Sequence, residues 1–149
     1  MVRVAIGSDH AGFHLKETIK ALLSGMGIPY EDVGAGSDDS SDYPDFAAGA
    51  ARLILDGRAD RGILVCGTGI GMVIAANKIP GIRAALAWNA ETARLARAHN
   101  DAHILTLGGR TTPAADVEAI VRAFLATEYE GGRHDARLAK IAHLEHKDT

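Results

Sequence analysis

A buried strand passes directly into a glycine loop at residues 63–71, which have the sequence Ile63-Leu64-Val65-Cys66-Gly67-Thr68-Gly69-Ile70-Gly71. Consecutive apolar residues before the loop are typical of a strand covered on both faces. The closely spaced glycines let successive backbone N–H groups converge on an anion, and the residues that follow predict a helix ending at Asn77. Strand, glycine loop and helix in this order favour an α/β fold, in which ligands bind at the carboxyl ends of parallel strands.

The alternation of strand and helix extends from this stretch toward both ends of the chain. Short apolar runs predict five strands, at residues 2–6, 28–33, 63–66, 83–88 and 104–107. Helical periods, prolines and caps predict helices at residues 12–25, 44–55, 70–77, 90–99, 112–127 and from 133 onward. The pattern predicts one domain over residues 1–149, a Rossmann-like three-layer α/β/α sandwich with a five-stranded parallel sheet and a final helix as an appendage.

Composition excludes several classes of protein. The 149 residues are 47% hydrophobic and 23% charged, which is ordinary for one globular domain. Sixteen basic against nineteen acidic residues leave a net charge of −3, without the basic excess expected of a nucleic-acid binder. The longest mostly apolar stretch, residues 63–76, is too short to cross a bilayer, and the N-terminus does not resemble a secretory signal. The single cysteine, Cys66, cannot form an internal disulfide, so we expect a cytoplasmic protein with no nucleic-acid or membrane partner.

The glycine loop matches neither common nucleotide-binding motif. A dinucleotide fingerprint needs a third glycine where this chain has Met72, and an acidic residue after the next strand, where it has Trp88-Asn89. A Walker A loop needs Gly-Lys-Ser/Thr, which is absent. The remaining interpretations are an anion site of another kind or a tight turn without a ligand.

Cys66 directly precedes the loop and is the first candidate for chemistry. A thiol beside backbone amides at a helix N-terminus has its thiolate stabilised, which makes it a competent base or nucleophile. The alternative is an inert, buried small apolar residue. His99-Asn100 lies between a helix and a strand, which predicts the opposite edge of the sheet unless that connection folds back. His99 is therefore either a helix-ending residue or a catalytic one.

The histidines do not predict a metal site. His10 and His14 are four residues apart, but no carboxylate completes a zinc-binding set with them. His10 remains of interest because it follows the first strand. We therefore expect no metal ligands.

Two arginines on the predicted final helix are spaced for anion binding. Arg133 and Arg137 are four residues apart, so both guanidinium groups can point in one direction and suit a phosphate dianion. The alternative is a solvated helix face on which Glu130 and Asp135 are their partners. Tyr43, between an acidic loop and a helix, is a candidate for the rim of a pocket.

The chain as a whole resembles type B ribose-5-phosphate isomerases, in a family that also contains galactose-6-phosphate isomerase subunits and allose-6-phosphate isomerases. The resemblance covers nearly the whole chain, and its motifs in order and spacing are far more specific than one glycine loop. These motifs are residues 7–12 (GSDHAG), 42–44 (DYP), 66–71 (CGTGIG), 75–78 (AANK), 81–84 (GIRA), 97–101 (RAHND) and 129–134 (YEGGRH).

The resemblance implies a metal-free aldose–ketose isomerase without a cofactor. It would interconvert D-ribose 5-phosphate and D-ribulose 5-phosphate, a step of the pentose phosphate pathway, through an enediolate. His99 would protonate the furanose ring oxygen, and Cys66 would move the proton between C1 and C2. The developing oxyanion would be held by Asn100 and by the backbone amides of Gly67, Thr68, Gly69, Ile70 and Gly71.

The resemblance also implies how the rest of the sugar phosphate is bound. Asp9 would contact hydroxyl groups, while the phosphate would be surrounded by His10, Arg110, Arg133 and Arg137. In this family the last two arginines come from the neighbouring subunit, so the final helix would reach the partner. We therefore expect a homodimer with shared active sites, alone or as a dimer of dimers.

Three alternatives remain at this point. Some family members lack the cysteine and use a glutamate shortly after the glycine loop, but here the corresponding position is Met72, which favours the thiol. The motifs specify phosphate and C1–C2 chemistry rather than chain length, so a six-carbon substrate such as allose 6-phosphate is an alternative. A small anion- or nucleotide-binding module without turnover is a further one, although the joint presence of Cys66, His99 and the paired arginines is a reason against it.

Overall fold

The computed structural model describes residues 1–146, and its strands and helices alternate as predicted. The strands are β1 Val4–Ser8, β2 Tyr30–Asp32, β3 Arg61–Cys66, β4 Ala84–Leu86 and β5 Ile104–Gly108. The helices are α1 Phe13–Gly25, α2 Tyr43–Leu55, α3 Ile70–Asn77, α4 Ala90–Asn100, α5 Ala114–Ala126 and α6 Asp135–Leu144. The strands pair in parallel in the order β2-β1-β3-β5-β4, so the predicted five-stranded parallel sheet is confirmed.

The alternation of side chains along the central strands produces the three layers. Ile6 and Val65 lie in a core with α1, α4 and α5, whereas Ala5, Leu64 and Cys66 lie in a second core with α2 and α3. This division follows from the two-residue period of a strand, which sends successive side chains to opposite faces. Cys66 therefore lies on the α2/α3 face, at the carboxyl end of β3.

The strand order creates a crevice between β1 and β3. β1 pairs with β2 on one side and with β3 on the other, so the connections leave β1 and β3 in opposite directions. At such a switch point the loops diverge and leave room for a ligand outside the carboxyl ends of the strands. The amide of Asp9 donates a hydrogen bond to the carbonyl of Val65 at 3.3 Å and closes the floor of this crevice.

The two edge strands are shorter than predicted. The predicted strand 28–33 is reduced to β2, because the Ile28 amide still donates to the Leu23 carbonyl at the end of α1, at 2.9 Å. The predicted strand 83–88 is reduced to β4, because the chain leaves the sheet to form the cap of α4. That cap is the predicted one, in which the Asn89 side chain accepts from the Thr92 amide at 2.7 Å.

The C-terminal part of the chain also differs in detail from the prediction. The final helix begins with a 3-10 turn, Gly132–His134, so Arg133 lies in that turn and Arg137 in the α-helix after it. The α6 helix buries none of its residues against the rest of the subunit. Within residues 1–146, no helix combines the length and apolar character that a membrane span requires.

Candidate active site

A cavity of about 600 Å³ opens in the crevice at the carboxyl ends of β1 and β3. Its walls come from the segments that follow β1, β3 and β5 and from the loop that enters α2. Nine residues singled out from the sequence line it: Asp9, His10, Tyr43, Cys66, Gly67, Thr68, Ile70, Gly71 and Arg110. We call this space the carboxyl-edge cavity.

Cys66 forms the base of the carboxyl-edge cavity. It is the last residue of β3, it is a free thiol, and only 4% of its surface is exposed. Its carbonyl accepts a hydrogen bond from the Gly109 amide at 2.7 Å, which fixes the strand end against the segment after β5. The main chain of Cys66 is therefore anchored at the strand end, and the residue lines the cavity.

The glycine loop presents unused backbone amides to the same space. The amides of Gly67, Thr68 and Gly69 have no hydrogen-bond acceptor among residues 1–146, while the Ile70 amide donates to Thr68 Oγ1 at 3.2 Å. Gly69 has a φ of 80°, a left-handed conformation that glycine adopts without strain, and its carbonyl accepts from Thr106 Oγ1 at 2.9 Å. Gly69 thus lies behind the cavity and turns the chain so that the loop amides precede α3. This arrangement suits an anion.

Tyr43 packs directly on the loop. A Cβ atom at Gly71 would lie 2.6 Å from the Tyr43 ring, so only glycine permits this approach. Arg110 lies on the other side, where a Cβ atom at Gly67 would be 2.9 Å from its Nη1 atom. The cavity is therefore closed by an aromatic ring on one wall and a guanidinium group on another.

His10 and Asp9 are oriented by backbone contacts. The amide and the carbonyl of Ser41 both lie 3.2 Å from Nδ1 of His10, so Nδ1 is occupied by the backbone and Nε2 is the ring nitrogen that remains for a ligand. Asp9, 5% exposed, accepts from the Gly12 amide through one carboxylate oxygen at 3.1 Å. Ser41 was not singled out from the sequence, because a serine in a polar loop carries no local signal.

A buried lysine supports the loop that carries Ser41. Lys16 is fully buried, and its Nζ atom lies 2.8 and 3.0 Å from the two carboxylate oxygens of Asp32 and also donates to the Ala35 carbonyl. Burial opposes ionisation of Asp32, but hydrogen bonds from Lys16 and Lys20 outweigh it and lower the pKa of this carboxyl. Sequence reasoning missed Lys16, since a lysine in an amphipathic helix usually indicates the solvated face.

The other predicted residues lie at the opposite edge of the sheet. His99 and Asn100 end α4, and Arg133 and Arg137 follow α5, so all four precede or flank the amino ends of strands. β5 alone has five residues, which separates the two edges by about 16 Å. One subunit therefore does not bring these four residues to Cys66. The possibility that the connection at His99 folds back is excluded.

His99 lies in a compact group of side chains at that edge. Its ring stacks on His134 with centroids 4.4 Å apart and an angle of 20° between the planes. Its Nε2 atom is 3.9 Å from a Glu130 carboxylate oxygen, and His134 Nε2 is 3.7 Å from the same oxygen. Burial, followed by the charges of Arg133 and His99, lowers the pKa of His134. We call His99, Asn100, Glu130, Arg133, His134 and Arg137 the amino-edge group.

The two arginines of the amino-edge group are exposed. Arg137 Nη1 donates to the Arg133 carbonyl at 2.8 Å, and neither guanidinium has a carboxylate partner in the described part of the chain. The expected alternative, pairing with Glu130 and Asp135, is not what forms. Glu130 faces the two histidines, and Asp135 accepts from the Tyr129 hydroxyl at 2.6 Å. Both arginines are free to meet an anion outside their own subunit.

Comparisons with known proteins agree with the motifs. The sequence profile of the ribose/galactose isomerase family matches residues 4–141. Ribose-5-phosphate isomerase B of Escherichia coli is 42% identical over 99% of both chains, and that of Mycolicibacterium paratuberculosis is 46% identical over 97% of this chain and 92% of the relative. The D-erythrulose-4-phosphate isomerase of Pectobacterium atrosepticum is 40% identical over 99% of this chain and 98% of the relative.

Solved structures give the same result. A ribose 5-phosphate isomerase B from Thermotoga maritima is 53% identical, with a TM-score of 0.93 over 95% of this chain and 98% of the other. Ribose-5-phosphate isomerase B of Mycoplasma genitalium, solved with bound ribulose-5-phosphate, is 41% identical, with a TM-score of 0.91 over 99% of this chain and 97% of the other. Sequence profile, relatives and folds all cover nearly the full chain, and the chain belongs to the ribose/galactose isomerase family.

Proposed function

We propose that this protein interconverts D-ribose 5-phosphate and D-ribulose 5-phosphate, with Cys66 as the base that moves the proton between C1 and C2. The observation that carries this proposal is the buried free thiol of Cys66 beside unused backbone amides in the carboxyl-edge cavity. The relatives named as ribose-5-phosphate isomerases, one of them solved with ribulose-5-phosphate, support the same substrate pair.

The reaction redistributes protons and electrons within the sugar. The thiolate of Cys66 removes the proton from C2 of the open-chain aldose, and the electron pair forms the C1–C2 double bond of an enediolate. The thiol then returns the proton to C1, while the hydroxyl proton moves from O2 to O1, so no oxidant or reductant is consumed. The amides of Gly67 and Thr68, two residues that line the cavity, stabilise the oxyanion, and donors of this kind each contribute about 3 kcal/mol elsewhere.

The remaining lining residues bind and orient the substrate. Asp9 accepts hydrogen bonds from sugar hydroxyls, and Tyr43 with Ile70 and Gly71 shapes the wall. His10, through Nε2, and Arg110 contribute to the phosphate site. His99 protonates the ring oxygen to open the furanose, with Asn100 beside it.

This assignment requires two subunits. His99, Asn100, Arg133 and Arg137 lie at the amino edge, whereas Cys66 lies at the carboxyl edge, so they act on one sugar only if the amino-edge residues come from a partner. We therefore propose a homodimer in which α6 reaches the partner's cavity. Two apolar side chains beside the cavity support such an interface, because Ile70 is 53% and Ile74 57% exposed in the isolated subunit.

A cytoplasmic location is part of the proposal. It is supported by the lone reduced cysteine, which an oxidising compartment would expose to unwanted disulfide exchange.

The test is solvent exchange combined with a substrate comparison. In deuterated water an isomerase places deuterium at C1 of ribulose 5-phosphate and at C2 of recovered ribose 5-phosphate, whereas a binding module leaves both positions unlabelled. Turnover should then be compared on ribose 5-phosphate, allose 6-phosphate and D-erythrulose 4-phosphate, the last because a relative is named for it. Absence of exchange would exclude isomerisation, and a higher kcat/KM on the six- or four-carbon substrate would replace only the substrate.

A further inference from the structure

Three side chains with metal-binding atoms meet at the amino edge of the sheet. His99, Glu130 and His134 each contribute one ligand atom, and these atoms all lie within 4.8 Å of one another. His99 comes from the end of α4, whereas Glu130 and His134 come from the segment after α5. The proposed isomerisation gives no role to Glu130 or His134. We call these three residues the three-ligand cluster.

The distances in the three-ligand cluster fit a transition-metal ion. In a tetrahedral zinc site with bonds near 2.1 Å, ligand atoms are roughly 3.4 Å apart. The same Glu130 oxygen lies 3.9 Å from His99 Nε2 and 3.7 Å from His134 Nε2, slightly longer than that spacing. Because both Nε2 atoms are this close to one Glu130 oxygen, both ring edges face the carboxylate. The two rings are nearly parallel, so a shared ion also requires one imidazole to turn about its Cβ–Cγ bond and direct its lone pair at the ion.

His134 gives a second, independent reason. The residue is 6% exposed, and its Nε2 atom is buried without a hydrogen-bond partner among residues 1–146. A buried ring nitrogen without a partner is rare in folded proteins and points to a missing ligand.

We propose that His99, Glu130 and His134 form a binding site for a late first-row divalent metal ion. Zn²⁺ is the preferred ion, and its fourth coordination position is open. Two imidazoles and one carboxylate are a ligand set suited to Zn²⁺. In the isolated subunit the site is reachable from solvent, since the His99 and Glu130 side chains are 34% and 53% exposed. Arg133, Arg137 and Arg94 lie near these ligands and weaken the attraction for a cation, so binding is reversible.

The ion would inhibit the proposed reaction. Zn²⁺ occupies the lone pair of His99 Nε2, so that nitrogen can no longer carry the proton for ring opening. Metal and sugar phosphate therefore compete for the same site. This consequence rests on the proposed function, whereas metal binding itself does not.

The test is direct titration of the intact protein with Zn²⁺, followed by calorimetry, and with Co²⁺, followed by its absorption spectrum. The Cys66→Ser variant is titrated in parallel, because a thiolate is also a good zinc ligand. We expect saturable binding that persists in Cys66→Ser and weakens at least tenfold in Glu130→Gln and in His134→Asn. The matched control is His14→Asn, which removes an exposed imidazole paired with Asp38 and should bind as the wild type does.

Thermal unfolding of each variant establishes that a loss of binding is not a loss of fold, and Glu130→Gln is the safer change because that side chain is half exposed. Binding that is absent, or that is equal in wild type, Glu130→Gln and His134→Asn, would overturn the proposal. Binding lost in Cys66→Ser would move the site to the thiol and would also overturn it. An inactive protein that still binds Zn²⁺ through the three-ligand cluster would reject the proposed function while supporting this inference.

Discussion

The two edges of the sheet carry different halves of the expected chemistry. At the carboxyl edge, Cys66 is 4% exposed and lies in a cavity of about 600 Å³ whose walls come from one subunit. At the amino edge, Arg133 and Arg137 are exposed and have no acidic partner in the described chain. The carboxyl edge therefore has a pocket but lacks part of the expected phosphate-binding cations. The amino edge has those cations but no pocket.

The two edges meet different physical requirements. A pocket for a reactive thiol needs burial and fixed amides, which strand ends and a glycine loop provide within one fold. A phosphate clamp needs long cationic side chains that remain hydrated until the ligand arrives. With the two at opposite ends, the proposed site requires a second subunit as one of its components rather than as a stabilising neighbour.

The largest expected effect is at the thiol. Cys66→Ser should lower kcat by about 10³-fold, because a serine hydroxyl is a far weaker base and general base catalysis contributes roughly 10²–10⁴-fold. Steady-state turnover of ribose 5-phosphate measures it, and an unchanged unfolding temperature shows that the fold is retained. Near-native turnover in the serine variant would mean that Cys66 is not the base. The carboxyl edge would then no longer be distinguished by the residue that moves the proton.

The second effect tests the division between subunits. Cys66→Ser and Arg137→Ala, each nearly inactive, should regain activity when mixed and reassembled. In a mixed dimer one site carries both defects and the other carries none, so random exchange restores roughly a quarter of all sites. Arg137→Ala must first be shown to raise KM strongly, as loss of a phosphate contact should.

The controls for this experiment are each variant reassembled with itself. Demonstrated subunit exchange without recovery would mean that each chain supplies its own phosphate clamp. The carboxyl-edge cavity and the amino-edge arginines would then be two unrelated sites.

A third, smaller effect concerns the support of the carboxyl edge. Asp32→Asn should lower the free energy of unfolding by about 3 kcal/mol at pH 7, because it leaves the ammonium group of Lys16 buried without its carboxylate. Since the pKa of Asp32 is lowered in the folded state, this stabilisation is complete above the ordinary carboxyl pKa and is lost as pH falls through the folded value. Urea unfolding at pH 7 and pH 3 should therefore give a difference that narrows in acid.

The matched control is Asp60→Asn. Asp60 also binds a cation, Arg3, at 3.1 Å, but the Arg3 and Asp60 side chains are 49% and 38% exposed, so the loss of this pair should be much smaller. Equal losses for the two variants would mean that burial of Lys16 contributes nothing.

The smallest effect is a pH dependence at the amino edge. Burial, followed by the nearby charge of Arg83, lowers the pKa of His103 to about 4, and its Nδ1 accepts from the Arg83 amide at 3.0 Å. The imidazole of His103 binds a proton below about pH 6.5 in the unfolded chain but only below about pH 4 in the folded protein. The free energy of unfolding therefore decreases as the pH is lowered through this interval. His103→Gln keeps a hydrogen-bond acceptor but cannot bind a proton. The decrease in the free energy of unfolding across this interval should therefore be smaller by roughly 1–2 kcal/mol, after allowance for partial exposure.

Urea midpoints between pH 7 and pH 4 measure this change. Parallel curves for wild type and His103→Gln would show that other groups cause the acid sensitivity. The stability at pH 7 should hardly differ between the two proteins.

The carboxyl-edge cavity was largely predictable from the sequence because its parts are local. Cys66 and the glycine loop are contiguous, and the end of each predicted strand indicates which residues face a common edge. The cap at Asn89 was predictable for the same reason, since its partner Thr92 is three residues away. Local patterns also predict the fold class and most of the helix bounds.

The remaining features depend on contacts between distant segments. The stacking of His99 on His134 joins segments 35 positions apart, and nothing near either residue indicates it. The burial of Lys16 follows from an Asp32 carboxylate that strand β2 places above α1.

The distance between the two edges also has a consequence for how the protein behaves on dilution. If each proposed active site needs Cys66 from one chain and Arg137 from another, catalysis depends on the dimerisation equilibrium as well as on the fold of each chain. Specific activity then follows the dimer fraction and falls when the protein concentration drops below the dissociation constant of the dimer. An assay series over decreasing enzyme concentration would show this as a rate that declines faster than the amount of protein added.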